Sequence, residues 1–541
     1  MHLSSYVVRP RREQVVTGLF FALLLVLGLC VYRDYGVSWD EPVDRENGVV
    51  NLKYVAERLA PQLARQQAAY ATIPPLAGYP DNDHGVAFEL PLAALSMIFA
   101  RGDSIAYYHL RHLLIFGVFW VGCWALYGLA RQRFGSWLWA LLTVGLLVLS
   151  PRFFAEAFFN GKDIVFMACF TVAMYTLMRL LANPTTSRVV LHALATALAI
   201  DVRVPGLLLV GFTIGMLGWH FIEQPAKRWL QLGSLYVALS AVFVVIGSPY
   251  LWEAPVANFW WAYQRLSHYP ADTQNIYFGQ LISSRVPWHY LLVWIGITTP
   301  LPYLLGALAG LLISVGRLLR RGVRHSSFVS QLDVLFLGWL LGPLLLVIGL
   351  RSTFYDGWRH LYFIYPAMLL LAVRGIRWLV GVAGRPQPVR YLALGALLLG
   401  SAEIGHTLVR MVQLHPHQQV YFSFLPARTA ERLFDRDYWG LSYYHGLRWL
   451  LHHQAATTPA TVSAPVSTPL IANSLLLSTA EQARLHILRA PQQGRYFITN
   501  YRWHPHPYPD SLGREIYTIR AEGLKILSIF DREAVPTDSA R

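Results

Sequence analysis

The acidic pair Asp40–Glu41 stands in the segment YGVSWDEPVD (35–44), directly after the first long apolar run of the chain. A carboxylate that is enclosed by apolar side chains can remove a proton from a hydroxyl group, because burial moves its pKa toward neutrality. A solvated loop or the first turn of a helix would also accommodate two acids, without any chemistry. The pair is therefore a candidate catalytic base, with a wet loop as the alternative.

Other ionisable residues stand at the ends of apolar runs, where charge is costly in lipid and usually faces a cavity or a functional site. Arg and Lys side chains can bind a phosphate or pyrophosphate and neutralise the charge of a departing leaving group. Each residue also has an ordinary explanation, such as a local ion pair, a snorkelling arginine or an interfacial anchor. These further candidates are Asp163, Lys162, Arg203, Arg285, Arg359, His360 and His84.

Metal and nucleotide sites have little support in the sequence. The histidines are dispersed, and the two HPH tripeptides, at 415–417 and 504–506, have no carboxylate nearby. No metal-binding motif is predicted, although a divalent metal ion stays open as a cofactor. The chain contains no phosphate-binding Walker loop and no G-x-S-x-G nucleophile motif, so nucleotide-driven transport is not expected.

The composition is that of a membrane protein. Of the 541 residues, 55% are hydrophobic and 14% are charged, whereas roughly a quarter are charged in soluble proteins. The 18 Trp and 29 Tyr suit the aromatic belts at a membrane interface. A net charge of +15 is compatible with nucleic-acid binding, but the arginines punctuate the apolar runs and do not form one basic face. No nucleic-acid partner is therefore predicted.

Eleven apolar segments approach the roughly 20 residues that a membrane-spanning helix needs. The connections on one side are all basic, which predicts a cytoplasmic N-terminus and an outer position for Asp40 and Glu41. The predicted spans are 14–32, 107–130, 134–151, 163–182, 188–202, 204–220, 229–248, 287–316, 331–350, 359–381 and 390–410.

The chain divides into two predicted domains. Residues 1–410 form a transmembrane domain whose long outer loops, 33–106 and 249–286, contain helices that lie in the interface. Residues 411–541 are polar and form a small soluble α/β domain on the outer side, with a helix in DYWGLSYYHGLRWLLHH, a strand in RYFITNYRW and a hairpin that turns at Glu522–Gly523.

Five stretches, in this order and on one membrane side, resemble the GT-C superfamily of membrane glycosyltransferases. The similarity is greatest to the group of protein O-mannosyltransferases and aminoarabinose transferases. It predicts a polytopic α-helical membrane protein of the GT-C type with about eleven spans and a small outer domain. The stretches are WDEP (39–42), FFNGKDIVFM (158–167), PWHYLLVWIGITTPLP (287–302), YDGWRHLYFIYP (355–366) and DYWGLSYYHGLRWL (437–450).

The resemblance implies an inverting transfer of a sugar from a polyprenyl-phosphate carrier to an acceptor hydroxyl, at the periplasmic face of a bacterial inner membrane. It implies Asp40 as the general base, Glu41 as a residue that positions acceptor or sugar, and Asp163 as a second acidic position. Arg359 and His360 match a polar patch near the carrier phosphate. The acceptor is a glycan, a lipid or a protein. The chain has no loop long enough for the trefoil domain of the eukaryotic mannosyltransferases, which argues against a protein acceptor of that kind.

A secondary transporter or flippase of a lipid-linked or small anionic substrate is the alternative function. Such a protein would have internal inverted repeats and charges near the bilayer midplane. The sequence has no such repeat, and its unpaired charges gather at one face. A non-catalytic scaffold is a third possibility, in which none of the acids and bases would be needed.

Overall fold

The computed structural model describes residues 11–67, 69–267, 273–321, 327–384, 386, 388–454 and 459–533. One long apolar helix begins the described chain, and three shorter helices follow it. Asp40 is the N-cap residue of the second helix, and Pro42 lies in the first turn, where its missing N–H group costs nothing. These helices are α1 (Arg11–Val31), α2 (Glu41–Leu59), α3 (Pro61–Arg65) and α4 (Glu89–Phe99).

The next four helices include the candidate residues Lys162 and Asp163 at the junction of the last two. They are α5 (Ser104–Phe134), α6 (Trp137–Val148), α7 (Pro151–Phe159) and α8 (Asp163–Ala182). Helix α5 starts at a capping aspartate, Asp103, and ends at Gly135 in a left-handed conformation with φ 68°. Helices α6 and α7 meet at a 70° bend, after which a short turn leads into α8. Asp163 is therefore the first residue of α8.

The middle of the chain adds four helices and a hairpin. Asp201 ends the first of these helices, and Arg203 lies between it and the next. The hairpin turns through Phe278 and Gly279, both with positive φ, a pattern that matches the twist of a two-residue turn. The elements are α9 (Thr186–Ile200), α10 (Leu207–Glu223), α11 (Lys227–Gly247), α12 (Pro255–Ser267), β1 (Gln274–Tyr277) and β2 (Gln280–Ser283).

Five helices complete the bundle. A 3₁₀ segment, Arg359–Ile364, directly precedes the helix that begins at Tyr365, and Arg359 is the first residue of this segment. Small residues allow two of these helices to pack backbone to backbone, because a Cβ atom at Gly310 would collide with the carbonyl of Leu371. The helices are α13 (Tyr290–Thr298), α14 (Leu301–Arg321), α15 (Phe328–Gly349), α16 (Tyr365–Ala383) and α17 (Val389–Leu414).

Nine helices in the described part of the chain are long and apolar enough to cross a membrane, or ten if the bent pair α6–α7 is one span. The multi-pass membrane architecture is thus confirmed, with fewer straight spans than the eleven predicted. Segment 134–151 belongs to the bent pair, and 188–202 is the 15-residue helix α9. Segment 287–316 is divided between α13 and α14, because Pro300 interrupts the helical hydrogen bonds.

A small domain with a five-stranded sheet follows the bundle. Its strand order is β4-β3-β5-β7-β6, with β3 parallel to both of its neighbours and the other pairs antiparallel. The predicted hairpin is present, and Glu522 and Gly523 both have positive φ at its turn. The elements are α18 (Ala427–Leu433), α19 (Ser442–His453), β3 (Ala460–Ser463), α20 (Ser467–Ser474), α21 (Thr479–Gln482), β4 (Leu485–Ile487), β5 (Tyr496–Thr499), β6 (Arg514–Ala521) and β7 (Leu524–Asp531).

Asn473 of this small domain holds the segment that precedes Asp40. Its fully buried amide accepts from the backbone N–H of Val37 and donates to the carbonyls of Val37 and Gly440. The N–H of Trp39 donates to the carbonyl of Trp439 at 3.0 Å. The backbone that leads to the acidic pair is therefore fixed from the C-terminal side of the chain.

Candidate active site

Asp40 forms an ion pair with Arg359, a residue 319 positions away in sequence. Nη1 of Arg359 lies 2.7 Å from Oδ2 of Asp40 and 3.4 Å from Oδ2 of Asp163. The guanidinium also lies over the rings of Tyr355 and Trp439, at 5.0 and 4.6 Å from their centroids. Planar contacts of this kind fix the orientation of an arginine and leave its N–H groups for the carboxylates.

Asp163 joins two arginines at the start of α8. Its Oδ1 lies 2.6 Å from Nη2 of Arg203, and its Oδ2 faces Arg359. Asn160 donates to Asp163 Oδ2 at 3.1 Å and accepts from the Asp163 backbone N–H at 2.8 Å. The bend after α7 thereby holds one carboxylate between two cations that come from distant parts of the chain.

Lys162 belongs to a second, deeper group of charges. Its Nζ lies 2.6 Å from Oδ1 of Asp44, and Oδ2 of Asp44 lies 3.2 Å from Arg111. Arg111 also donates to both carboxylate oxygens of Glu89, at 2.5 and 2.9 Å. A paired, bidentate arrangement is what a buried arginine requires in order to offset the loss of its hydration.

Glu41 points into this deeper group and not toward Asp40. Its carboxylate accepts from the backbone N–H of Ser38 at 2.6 Å and lies 3.0 Å from Nε2 of His112 and 3.4 Å from Nε of Arg111. The side chain is fully buried. The hydrogen bond from Ser38 ties the backbone before Asp40 to Glu41, the first residue of α2.

Three charged side chains of the site are open to solvent. The side chain of Asp40 is 31% exposed, that of Lys162 20% and that of Arg203 21%. In contrast, Asp163 and Arg359 are almost fully buried. The structure therefore brings one accessible carboxylate together with two accessible cations, and the buried charges hold these three in place.

The charges around Asp40 keep it ionised. Burial alone would raise the pKa of Asp40, but the positive charges of Arg359 and Lys162 hold it well below its ordinary value. Burial would likewise lower the pKa of Lys162, and the charges of Asp44 and Asp40 raise it instead. In these states Lys162 can bind an anion, whereas Asp40 is a weaker base than the expected rise of its pKa toward neutrality implies, because the neighbouring cations outweigh its burial.

Comparison with known proteins gives the fold. A family model described as dolichyl-phosphate-mannose-protein mannosyltransferase matches residues 92–252. The crystal structure of ArnT from Cupriavidus metallidurans bound to undecaprenyl phosphate superposes with a TM-score of 0.51 and 14% identity, covering 95% of this chain and 98% of that one. The chain has the GT-C fold. The resemblance predicted from the sequence stretches is therefore confirmed.

Further matches have lower scores. An oligosaccharyltransferase from Archaeoglobus fulgidus, tethered to an acceptor peptide, superposes with a TM-score of 0.44 and 10% identity, covering 85% of this chain and 64% of that one. ArnT from Cupriavidus metallidurans in the apo state superposes with a TM-score of 0.44 and 14% identity, covering 96% and 99% of the two chains. No curated protein sequence matches the chain significantly.

Two further predicted ligands, Arg285 and His84, stand in the segments 249–286 and 33–106. Arg285 is exposed after β2, and within the described residues no ion pair joins it to the cluster. His84 lies 3.1 Å from Asp83, which pairs with Arg265 of α12. His360 is next to Arg359, and its ring contacts Phe354 and Tyr355.

Several residues of the site were not predicted from the sequence. Arg111 and His112 are ionisable residues inside a predicted span, a signal that marks a functional or structural site. Glu156 lies between two predicted spans, in helix α7, and its buried carboxylate accepts from Asn160, Tyr362 and Tyr438. The remaining members, Asp44, Glu89, Asp356 and Arg502, lie outside the predicted spans, and the quoted stretches 35–44 and 355–366 contain Asp44 and Asp356 without marking them as site residues.

The carboxylates of the cluster are committed to cations. No group of three or more His, Cys, Asp or Glu side chains among the described residues has a geometry that could hold a metal ion. Asp44, Asp163 and Glu89 each face an arginine or lysine instead. The arrangement is suited to binding an anion beside a base.

Proposed function

We propose that this protein transfers a sugar, with inversion, from a polyprenyl-phosphate donor to an acceptor hydroxyl at the periplasmic face of the inner membrane. The observation that carries the proposal is the accessible trio of Asp40, Lys162 and Arg203, one carboxylate beside two cations. A carboxylate serves as general base, and the cations stabilise the phosphate that leaves. The GT-C fold and the undecaprenyl phosphate in the ArnT structure support a polyprenyl-phosphate carrier.

The reaction is a single displacement at the anomeric carbon. The acceptor oxygen forms a bond to that carbon while the bond between the carbon and the phosphate oxygen breaks. The proton of the acceptor hydroxyl goes to Asp40, and the polyprenyl phosphate leaves as an anion bound by Lys162 and Arg203. Arg359 orients Asp40, and Asp163 holds Arg359 and Arg203 at the required spacing.

The other predicted residues have supporting parts in this proposal. Glu41 fixes the start of α2, on which Asp40 stands, through Ser38 and His112. His360 adjoins Arg359 and lines the approach to the carrier phosphate. Arg285 and His84 lie on the outer loops and contact those parts of the donor or acceptor that extend past the charge cluster.

The distribution of charge supports the proposed orientation in the membrane. Arg131 and Arg133 at the C-terminal end of α5 lie at the opposite end of that helix from Arg111. Basic residues favour the cytoplasmic side. This supports a cytoplasmic N-terminus, with the active site and the C-terminal domain on the periplasmic side.

A direct test uses purified protein in lipid nanodiscs with synthetic polyprenyl-phosphate sugars and a panel of hydroxyl acceptors. We expect a covalent glycosylated product, with the release of one polyprenyl phosphate for each sugar transferred. Movement of labelled substrate across sealed vesicles without a covalent product would overturn the proposal and favour a transporter. Mass spectrometry of product and carrier distinguishes these results.

Replacing Lys162 by Met, or Arg203 by Gln, is expected to raise the KM for the donor roughly 10- to 100-fold. Hydrogen bonds to charged groups contribute about 1.5–3 kcal/mol, and each 1.4 kcal/mol is tenfold in affinity. Native mass spectrometry should detect less retained carrier in both variants. Lys53→Met is the matched control, because Lys53 donates to the carbonyls of Tyr70 and Ile73 and lies over the ring of Tyr70, all in the loop 33–106. An unchanged donor KM in both site variants would contradict these roles.

The pH dependence of transfer should change when donor binds. Because the cations hold the pKa of Asp40 low, the base stays deprotonated in the free enzyme below the ordinary range for a carboxyl group. The donor phosphate weakens the field of Lys162 and Arg203, and the pKa of Asp40 then rises. The acid limb of kcat should therefore lie at higher pH than that of kcat/KM for the donor, in profiles from about pH 4 to 8. Coincident limbs would contradict this coupling.

A further inference from the structure

Arg502, in the loop after β5 of the C-terminal domain, reaches into the neighbourhood of the active site. Its Nη2 lies 3.0 Å from Oδ1 of Asp356, and its Nη1 donates to the carbonyl of Tyr438. The guanidinium lies 4.7 Å from the ring centroid of Trp39 and 4.8 Å from that of Trp503. The side chain is only 8% exposed, so it is fixed in this position.

Asp356 connects Arg502 to the base. Its Oδ2 lies 3.4 Å from Nη2 of Arg359, whose Nη1 pairs with Asp40 at 2.7 Å. The charges thus alternate along a chain, Arg502, Asp356, Arg359 and Asp40, that begins in one domain and ends in the other. Trp39, which touches Arg502, directly precedes Asp40 and gives a second connection.

The loop that carries Asp356 is rigid. Asp356 has φ 57° and Gly357 φ 76°, and the left-handed conformation of a non-glycine residue must be held by its surroundings. The N–H of Asp356 donates to Oδ1 of Asn275 at 2.9 Å, and that of Gly357 donates to the hydroxyl of Tyr290 at 3.1 Å. These hydrogen bonds hold the backbone of Asp356 beside Arg359 independently of Arg502.

Arg359 is shared among three carboxylates, since Asp40, Asp163 and Asp356 all lie within ion-pair distance of it. Arg502 neutralises the charge of Asp356 from the opposite side. Without Arg502, Asp356 would attract Arg359 more strongly, and the guanidinium would turn away from Asp40. In a buried setting such a redistribution is large, because the attraction between charges is little screened.

We propose that Arg502 is a positioning residue, through which the C-terminal domain sets how Arg359 divides its hydrogen bonds between Asp356 and Asp40. The proposal rests on the proposed function, in which Asp40 is the base. In this proposal the C-terminal domain contributes Arg502 to the geometry of the active site. Arg502 acts through Asp356 and Arg359 and is not a catalytic residue.

The sign of the pH effect distinguishes positioning from simple structural support. The groups that face Asp40 are Arg359, Lys162, Arg203, Asp163, Tyr355 and His360. Arg502→Gln moves Arg359 toward Asp356, which raises the pKa of Asp40 and shifts the acid limb of kcat upward. Asp356→Asn releases Arg359 to Asp40 and shifts the limb downward. A loss of packing alone would not shift the two limbs in opposite directions.

Asp435 must be controlled for, because it adjoins both Arg502 and Asp356. Burial raises the pKa of Asp435 to about 7, while Arg502 lowers and Asp356 raises it. Its titration would therefore respond to the two substitutions in the same directions as that of Asp40. Arg502→Gln and Asp356→Asn are therefore each measured in the wild-type background and in the Asp435→Asn background, which removes this second carboxyl group.

The experiment measures kcat, donor KM and the acid limb for the wild type, Arg502→Gln, Arg502→Lys and Asp356→Asn in nanodiscs. For Arg502→Gln we expect kcat to fall roughly 10- to 100-fold, since a misplacement of about 1 Å can cost 10²-fold. Donor KM should change little, and Arg502→Lys should restore much of the rate. Arg436→Gln is the matched control, because Arg436 is equally buried and stacks on Tyr501 at 4.5 Å, but binds carbonyls within its own domain.

The proposal is supported if the acid limb of kcat shifts upward in Arg502→Gln and downward in Asp356→Asn, and if both shifts persist in the Asp435→Asn background. Wild-type kcat in Arg502→Gln, limbs that move together, or shifts that vanish in the Asp435→Asn background would overturn it. If Arg502→Gln does not fold, a downward shift of the acid limb in Asp356→Asn supports the proposal, and an unshifted or raised limb overturns it. A wild-type protein that transfers no sugar would instead refute the proposed function, so the two failures are distinguishable.

Discussion

Replacing Asp40 by Asn is expected to lower the rate of sugar transfer roughly 10²- to 10⁴-fold, the usual contribution of a general base. The amide keeps the shape of the carboxylate but cannot take the proton of the acceptor hydroxyl. Arg359 retains Asp163 and Asp356 as partners, so the protein should fold and insert normally. Turnover of a labelled donor, measured beside carrier retention in native mass spectrometry, separates the lost chemistry from lost binding.

Asp34→Asn is the matched control for this substitution. Asp34 lies six positions before Asp40, is more exposed and pairs with His415 at 2.9 Å on the surface. Its loss should leave transfer within about twofold of wild type, as surface pairs contribute little. Near-normal turnover in Asp40→Asn, or an equal loss in both variants, would remove Asp40 from the role of base.

Replacing Arg111 by Met is expected to prevent stable folding. Three buried carboxylates, Glu41, Asp44 and Glu89, face this one guanidinium, and neither it nor any of them is more than 3% exposed. Removing one partner from a buried ion pair costs about 3–5 kcal/mol, because it leaves an uncompensated charge. Among the described residues Glu89 would then keep no cation within ion-pair distance, whereas His112 and Lys162 would still face Glu41 and Asp44.

Thermal unfolding in detergent, together with the yield of monodisperse protein, measures this effect. The Arg111→Met protein should aggregate or unfold at a markedly lower temperature. The additional substitution Glu89→Gln should restore part of the loss, since it removes the uncompensated charge. Arg58→Met is the control, because the exposed pair of Arg58 and Glu253 contributes at most about 1 kcal/mol. Equal unfolding temperatures for Arg111→Met and the wild type would contradict the structural role of Arg111.

Much of the architecture could be predicted from local patterns in the sequence. Apolar segments of about 20 residues predict the spans, and alternating apolar residues around Glu522–Gly523 predict the hairpin of β6 and β7. Proline residues limit such predictions. Pro151 and Pro300 each interrupt an apolar segment that looks like one continuous span, and each segment forms two helices. Apolar and polar residues alternate too weakly along β1 and β2 for this hairpin to be predicted from the sequence.

The sequence by itself determined that the protein is polytopic and that acids and cations stand at the ends of its apolar segments. Hydropathy and loop charge are local properties, and the bilayer acts on them segment by segment. Tertiary structure alone decided which charges meet: Asp40 with Arg359, Lys162 with Asp44, and Arg502 with Asp356. It also turned Glu41 inward, to a histidine 71 positions away. These pairings depend on how distant helices cross, and a single sequence carries no periodicity that records such crossings.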